Sequence, residues 1–74
     1  MTRDKAIEII DDTVDLWYDT LDGDTEQADV DRVEELLDLS VESFDREDWT
    51  GAWLWAGNAL AYIRERLTPL PATA

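Results

Sequence analysis

The side chains that most often carry out chemistry in small proteins are missing here, because the chain contains no histidine and no cysteine. It therefore has no thiolate nucleophile, no Ser-His pair and no zinc site with nitrogen or sulfur ligands. Carboxylates are the remaining acid and base candidates, and a single domain of 74 residues leaves little room for a cleft. We expect a protein that is not an enzyme, with no catalytic residues, no cofactor and no metal.

Acidic side chains dominate the charge of the molecule, with 19 acidic residues against 6 basic ones and a net charge of -13. Such a chain is repelled by nucleic acid and by anionic membranes, and it is attracted to basic protein surfaces. We expect a protein partner with a basic surface, no direct binding of nucleic acid and no membrane association. The longest uncharged stretch, Trp49 to Ile63, is shorter than the roughly 20 apolar residues of a membrane helix, and a cytoplasmic location is expected.

Three segments of the chain repeat apolar residues at the spacing of one helix face, which predicts an all-α domain of three helices. The helices are expected at about 3–21, 26–45 and 49–67 within a domain spanning 1–68, followed by a disordered tail at 69–74. The apolar positions are Ile7, Ile10, Val14, Trp17 and Leu21 in the first segment; Val30, Val33, Leu37, Val41 and Phe44 in the second; and Trp49, Ala52, Trp53, Ala56, Leu60, Ile63 and Leu67 in the third.

Polar residues before each segment are candidate helix caps. Thr2 is expected to cap the first helix and Asp48 the third. The start of the second helix stays open between two interpretations, because Asp24 with Gln27 forms a capping-box pattern while Asp29 is a rival cap.

The third segment is apolar nearly all round, since no charged residue lies between Thr50 and Ile63. A helix of this kind is usually buried on more than one side, so we expect it to pack between the other two. Trp49 and Trp53 are expected to fill the core. Close approach of a neighbouring backbone is expected at its small residues, which are Gly51, Ala52, Ala56, Gly57 and Ala59.

Carboxylates fall on the side of the first two helices that lies opposite the apolar positions, when each residue is rotated by about 100°. We interpret these two stripes as candidate contacts for a basic partner. The candidate residues are Asp4, Glu8, Asp11, Asp12, Asp15, Asp19, Asp31, Glu34, Glu35, Asp38 and Glu42. The alternative interpretation is a solvated surface that serves only solubility or adaptation to high salt.

Three apolar residues lie off the main face of the third helix and form a second candidate surface: Leu54, Trp55 and Tyr62. They are expected either to complete the core of a monomer or to make a patch for a homodimer or for another protein.

The stretch 37–67 resembles a single tetratricopeptide-type helical hairpin. In that family an aromatic residue ends the first helix, a second aromatic follows a short polar turn, and alanines let the helices pack closely. Phe44, Trp49, Ala52 and Ala59 stand at these places. The resemblance implies protein binding rather than catalysis.

In size, charge and aromatic content the chain is similar to the small acidic, DNA-mimicking inhibitors that phages and mobile elements produce. This similarity implies an inhibitor that presents its carboxylates to a basic nucleic-acid-binding protein. The alternative function is a helical interaction or dimerisation module that works through the aromatics of the third helix.

Overall fold

The computed structural model describes residues 1–67, which form three α-helices and a closing π-helical turn. Helix α1 spans Arg3–Thr20, α2 spans Gln27–Asp45 and α3 spans Trp49–Tyr62, after which Ile63–Leu67 continue as the π turn. The prediction of an all-α, three-helix domain is confirmed. The expected tail at 69–74 lies outside the described residues.

Two of the predicted helix caps are confirmed. The Thr2 hydroxyl oxygen accepts a hydrogen bond from the Lys5 N–H at 3.3 Å. The Asp48 carboxylate accepts one from the Gly51 N–H at 3.0 Å. Each bond satisfies one of the N–H groups that a helix start leaves without an intrahelical partner.

Both candidate caps of the second helix are wrong. Helix α2 follows Glu26, whose side chain makes no capping hydrogen bond. The Asp22 carboxylate instead organises the preceding turn by accepting from the Asp24 N–H at 2.8 Å, and the Thr25 hydroxyl oxygen accepts from the Asp22 N–H at 3.1 Å. Asp24 is thereby held within the turn, and Asp29 lies inside the helix.

The turn between α2 and α3 is closed by backbone hydrogen bonds around Glu47, a non-glycine residue with φ 62°. The Asp48 N–H donates to the Ser43 carbonyl at 2.8 Å and the Glu47 N–H donates to the Phe44 carbonyl at 2.9 Å. This pair of bonds is the Schellman arrangement that reverses a chain after a helix. It folds α3 back along α2.

Helix α3 packs against both α1 and α2, whereas α1 and α2 contact each other at few positions. Antiparallel packing of α2 and α3 brings Ser40 to Ala52. Parallel packing of α1 and α3 brings Thr13 to Ala56 and Trp17 to Ile63. The prediction that the apolar third helix lies between the other two is confirmed.

Small side chains line the contacts between the helices. The Ser40 hydroxyl donates to the Ala52 carbonyl at 2.7 Å, and the Thr13 hydroxyl lies 2.6 Å from the Ile9 carbonyl and 3.2 Å from that of Ala56. A short side chain reaches the backbone of a neighbouring helix only when the two helices are close. The fully or almost fully buried small residues are Ala6, Thr13, Ser40, Ser43, Ala52, Ala56 and Ala59.

The large buried side chains form a cluster of their own beside the small residues. Trp17, Val33 and Ile63 form the main buried cluster, and Leu67 of the π turn packs against it. Trp53 does not fill the core as predicted, because its side chain is 38% exposed and lies beside α1. At about 100° per residue, Trp53 lies to one side of the buried positions Ala52, Ala56 and Ala59, which accounts for its partial exposure.

The two glycines of α3 have different environments. A Cβ at Gly51 would overlap the Asp48 carboxylate that caps the helix, so the absence of a side chain has a packing reason there. A Cβ at Gly57 would meet nothing within 4 Å, and the expected packing reason for this residue is wrong. Within residues 1–67, no helix combines the length and the apolar character that a bilayer crossing demands.

Candidate partner-binding surfaces

The carboxylates predicted to contact a partner are all exposed to solvent: Asp4, Glu8, Asp11, Asp12, Asp15, Asp19, Asp31, Glu34, Glu35, Asp38 and Glu42. On α1 they lie opposite Ala6 and Thr13, and on α2 opposite Val33 and Ser40, which are the residues buried toward the protein interior. We call the two groups the α1 stripe and the α2 stripe.

The two stripes do not merge into one surface, because α1 and α2 pack on different sides of α3 and each stripe points away from the interior. Within one stripe the spacing is regular. Six acids between Asp4 and Asp19 span about 23 Å at 1.5 Å per residue, which is about one charge per 4 Å. The α2 stripe, from Asp31 to Glu42, has a similar density.

Neutralisation of these carboxylates by basic side chains is slight. Residues 1–67 contain one ion pair, in which the Arg32 guanidinium lies 2.5 Å from the Glu35 carboxylate. Both side chains are at least half exposed. Exposed pairs of this kind contribute little to stability because water and salt screen them. The same residues contain no group of three or more acidic side chains placed to hold a metal ion.

The three apolar residues predicted as an interface differ in exposure and do not all lie on one side of α3. Leu54 is 52% exposed on the outer face of α3, whereas Trp55 and Tyr62 are half-buried. Trp55 and Tyr62 share one side of the helix because they are seven residues apart, and Leu54 lies about 100° away from Trp55. The Tyr62 hydroxyl donates to the Asp29 carboxylate at 2.5 Å, which ties this side chain to α2.

We expect the Tyr62–Asp29 hydrogen bond to make the stability of the fold decrease at alkaline pH. The hydrogen bond to Asp29, followed by desolvation, raises the pKa of Tyr62 above its ordinary value of 10.0. The neutral phenol is therefore favoured in the folded state, and its stabilising effect is present below about pH 10 and is lost as the pH rises through the raised pKa. Tyr62→Phe should lower the melting temperature at neutral pH, and the variant should lose less stability than the parent on alkalinisation. Thermal unfolding at about pH 7 and about pH 11 tests this.

The matched control is Tyr18→Phe, since Tyr18 is 70% exposed on α1. It should leave the difference between the two melting temperatures unchanged. If both variants had the same melting temperatures at both pH values, the Tyr62–Asp29 hydrogen bond would make no measurable contribution to stability.

A further surface that the sequence did not predict is an apolar groove between α1 and α2, with α3 beneath it. At one end, Ile7 and Ile10 face Val41 and Phe44 across a depression of about 160 Å³. At the other, a depression of about 290 Å³ is lined by Val14, Trp17, Tyr18, Leu21, Glu34, Leu37 and Asp38. We call this surface the α1–α2 groove.

The apolar period of α2 is visible in the sequence, but it does not show which of its residues a neighbouring helix covers. The apolar stripe of α2 includes Val30, Leu37, Val41 and Phe44, and in the structure Val41 is 48% exposed while the other three are half-buried. An apolar stripe wider than the contact area of its neighbours leaves uncovered side chains. The contact area of α2 depends on the small residues that bring α3 close to it, and these do not reveal themselves in the apolar period of α2.

Residues 1–67 form a small all-α domain of three helices with an acidic exterior and an apolar groove that these residues leave uncovered. Comparison with protein-family models, with curated proteins and with solved structures finds no match. The resemblance of 37–67 to a tetratricopeptide-type hairpin and the similarity to DNA-mimicking inhibitors stay predictions.

Proposed function

We propose that this chain is a non-enzymatic protein that binds a basic partner protein through the carboxylates of α1 and α2. The observation that carries the proposal is the set of eleven exposed acids in two stripes, of which Glu35 pairs with Arg32. Unpaired surface charges of one sign attract an oppositely charged surface, increase the association rate and are available for new ion pairs.

The spacing of the charges supports a partner that normally binds nucleic acid. Each stripe carries about one negative charge per 4 Å of helix, and a single DNA strand carries one phosphate per 3.4 Å. Because the two stripes point in different directions, the comparison with DNA applies to each stripe separately. The sharper form of the proposal is an inhibitor or modulator that occupies the nucleic-acid site of such a protein.

The test is capture of partners from the native host's lysate, followed by binding measurements with the purified partner at rising salt. We expect a basic nucleic-acid-binding protein whose affinity falls steeply with salt and which duplex DNA displaces. Asp11→Asn/Asp15→Asn/Asp19→Asn should weaken binding by about 10-fold or more at low salt. Leu54→Gln, on the exposed face of α3 and outside both stripes, should leave the affinity unchanged.

Retention of the partner at molar salt, together with full binding by the triple variant, would contradict the proposal. That outcome would favour a second candidate function, a helical interaction or dimerisation module that works through α3. The exposure of Leu54 and Trp53, at 52% and 38%, favours this candidate. Under it, Leu54→Gln abolishes binding or self-association and the acids serve only solubility or salt adaptation.

A further inference from the structure

The α1–α2 groove combines uncovered apolar side chains with carboxylates at its edges. Tyr18 and Val41, from opposite walls, are 70% and 48% exposed. The two depressions lie on consecutive helical turns, because Ile10 and Val14 of α1 are four residues apart, as are Leu37 and Val41 of α2. The apolar surface is therefore continuous along the groove.

Acidic side chains from both walls belong to the groove. Asp11 lines the depression at the Phe44 end, and Glu34 and Asp38 line the other one. At the Phe44 end the Arg3 guanidinium lies 5.5 Å from the centre of the Phe44 ring and adds one positive charge there. An occupant therefore meets apolar groups at the bottom and negative charge at the sides.

We propose that the α1–α2 groove binds one amphipathic helix of the partner, whose apolar stripe enters the groove and whose flanking lysines and arginines pair with Asp11, Glu34 and Asp38. This inference rests on the proposed function and names the part of the basic partner that is recognised. The distance along α1 from Ile7 to Leu21 is about 21 Å, which matches a helix of about 14 residues. Helices bound in grooves present apolar residues at i, i+3, i+4 and i+7 in this way.

A second copy of this chain fits the groove poorly. Each copy has a net charge of -13, and pairing two grooves places the acids that line one groove near the acids that line the other. Juxtaposed like charges disfavour an interface. Charge complementarity therefore selects a basic occupant.

The experiment uses the full chain and a designed peptide of about 18 residues, with leucines at i, i+3, i+4 and i+7 and with lysines and arginines elsewhere. A second peptide has the same composition in an order that destroys the stripe. Binding is measured by calorimetry at about 150 mM NaCl, where exposed charges are partly screened. We expect a Kd of about 10 μM for the amphipathic peptide and binding at least about 10-fold weaker for the other.

Two pairs of variants locate the binding site. Val41→Gln/Tyr18→Ser, at exposed groove positions, should weaken binding of the amphipathic peptide by about 10-fold or more, whereas Leu54→Gln should change it less than about 2-fold. Asp11→Asn/Asp38→Asn should weaken it more than Asp12→Asn/Asp19→Asn, which removes the same charge away from the groove. Thermal unfolding of each variant verifies that the fold is retained.

Equal binding of both peptides, with no effect of Val41→Gln/Tyr18→Ser, would overturn the groove assignment and leave the proposed function standing on the stripes. Absence of binding by either peptide would also overturn it, while salt-dependent capture of a basic protein would still support the proposed function. A dimer in sedimentation that Val41→Gln/Tyr18→Ser dissociates would assign the groove to a second copy. Peptide binding seen only with Leu70→Ser would assign the groove to the chain's own C-terminal segment. Either of these two results overturns the proposal.

Discussion

Ala56→Leu is expected to destabilise the protein by about 3 kcal/mol, which lowers the melting temperature of a domain this size by about 12–24 °C. Ala56 is fully buried in α3, and its carbonyl lies 3.2 Å from the Thr13 hydroxyl of α1. A leucine side chain at this position has no space to occupy unless the two helices separate, and separation breaks the contacts along the whole line of small residues. Thermal and denaturant unfolding measure the loss.

The matched control is Ala61→Leu on the same helix. Ala61 is exposed and lies on the side of α3 opposite Ala56 and Ala59. Because alanine and leucine have similar helix propensities, this substitution should change the free energy of unfolding by less than about 0.5 kcal/mol. Similar losses in the two variants would show that the close approach of α1 and α3 is not what limits residue size at Ala56.

Salt is expected to stabilise the fold, on the order of 2 kcal/mol or about 8–16 °C, between low salt and 1 M NaCl. The net charge of -13 sits on 74 residues, and folding brings these charges closer together than they are in the unfolded chain. The screening length falls from about 30 Å at 0.01 M salt to about 3 Å at 1 M, so the repulsion is largely removed. Melting temperatures over a salt series measure the effect.

Asp11→Asn/Asp15→Asn/Asp19→Asn provides the control for this prediction, since it removes three charges from one exposed stripe. The variant should melt higher than the parent at low salt and should gain less from added salt. A parent whose melting temperature does not change over the series would contradict the idea that repulsion between the stripes destabilises the fold.

The confirmed parts of the sequence analysis depend on interactions between residues that are near in the chain. The Thr2 and Asp48 caps bond to N–H groups three residues ahead, and the apolar period of each helix repeats every three or four residues. The N-cap of α2 was not predicted correctly, because the segment before it contains several acids and threonines that are equally suitable as caps by residue type. In the structure Asp24 instead belongs to a turn held by hydrogen bonds of Asp22 and Thr25.

Side-chain burial was predicted less well because it depends on how closely the helices approach. Trp53 has the period of a core residue, yet it is 38% exposed, and the buried side of α3 is formed by Ala52, Ala56 and Ala59. Tyr62 was expected either in the core or in a patch, and its bond to Asp29, 33 residues away, is a contact that no local pattern contains.

Local pattern in the chain was enough to predict three helices, an exterior rich in carboxylates and an apolar third helix, because helical period and charge are properties of short segments. The directions of the two acidic stripes and the exposure of Val41 and Tyr18 depend instead on how the helices pack in three dimensions. Small side chains at Thr13, Ser40 and Ala56 let α3 fit closely against both neighbours, and this packing leaves α1 and α2 apart with an open groove between them.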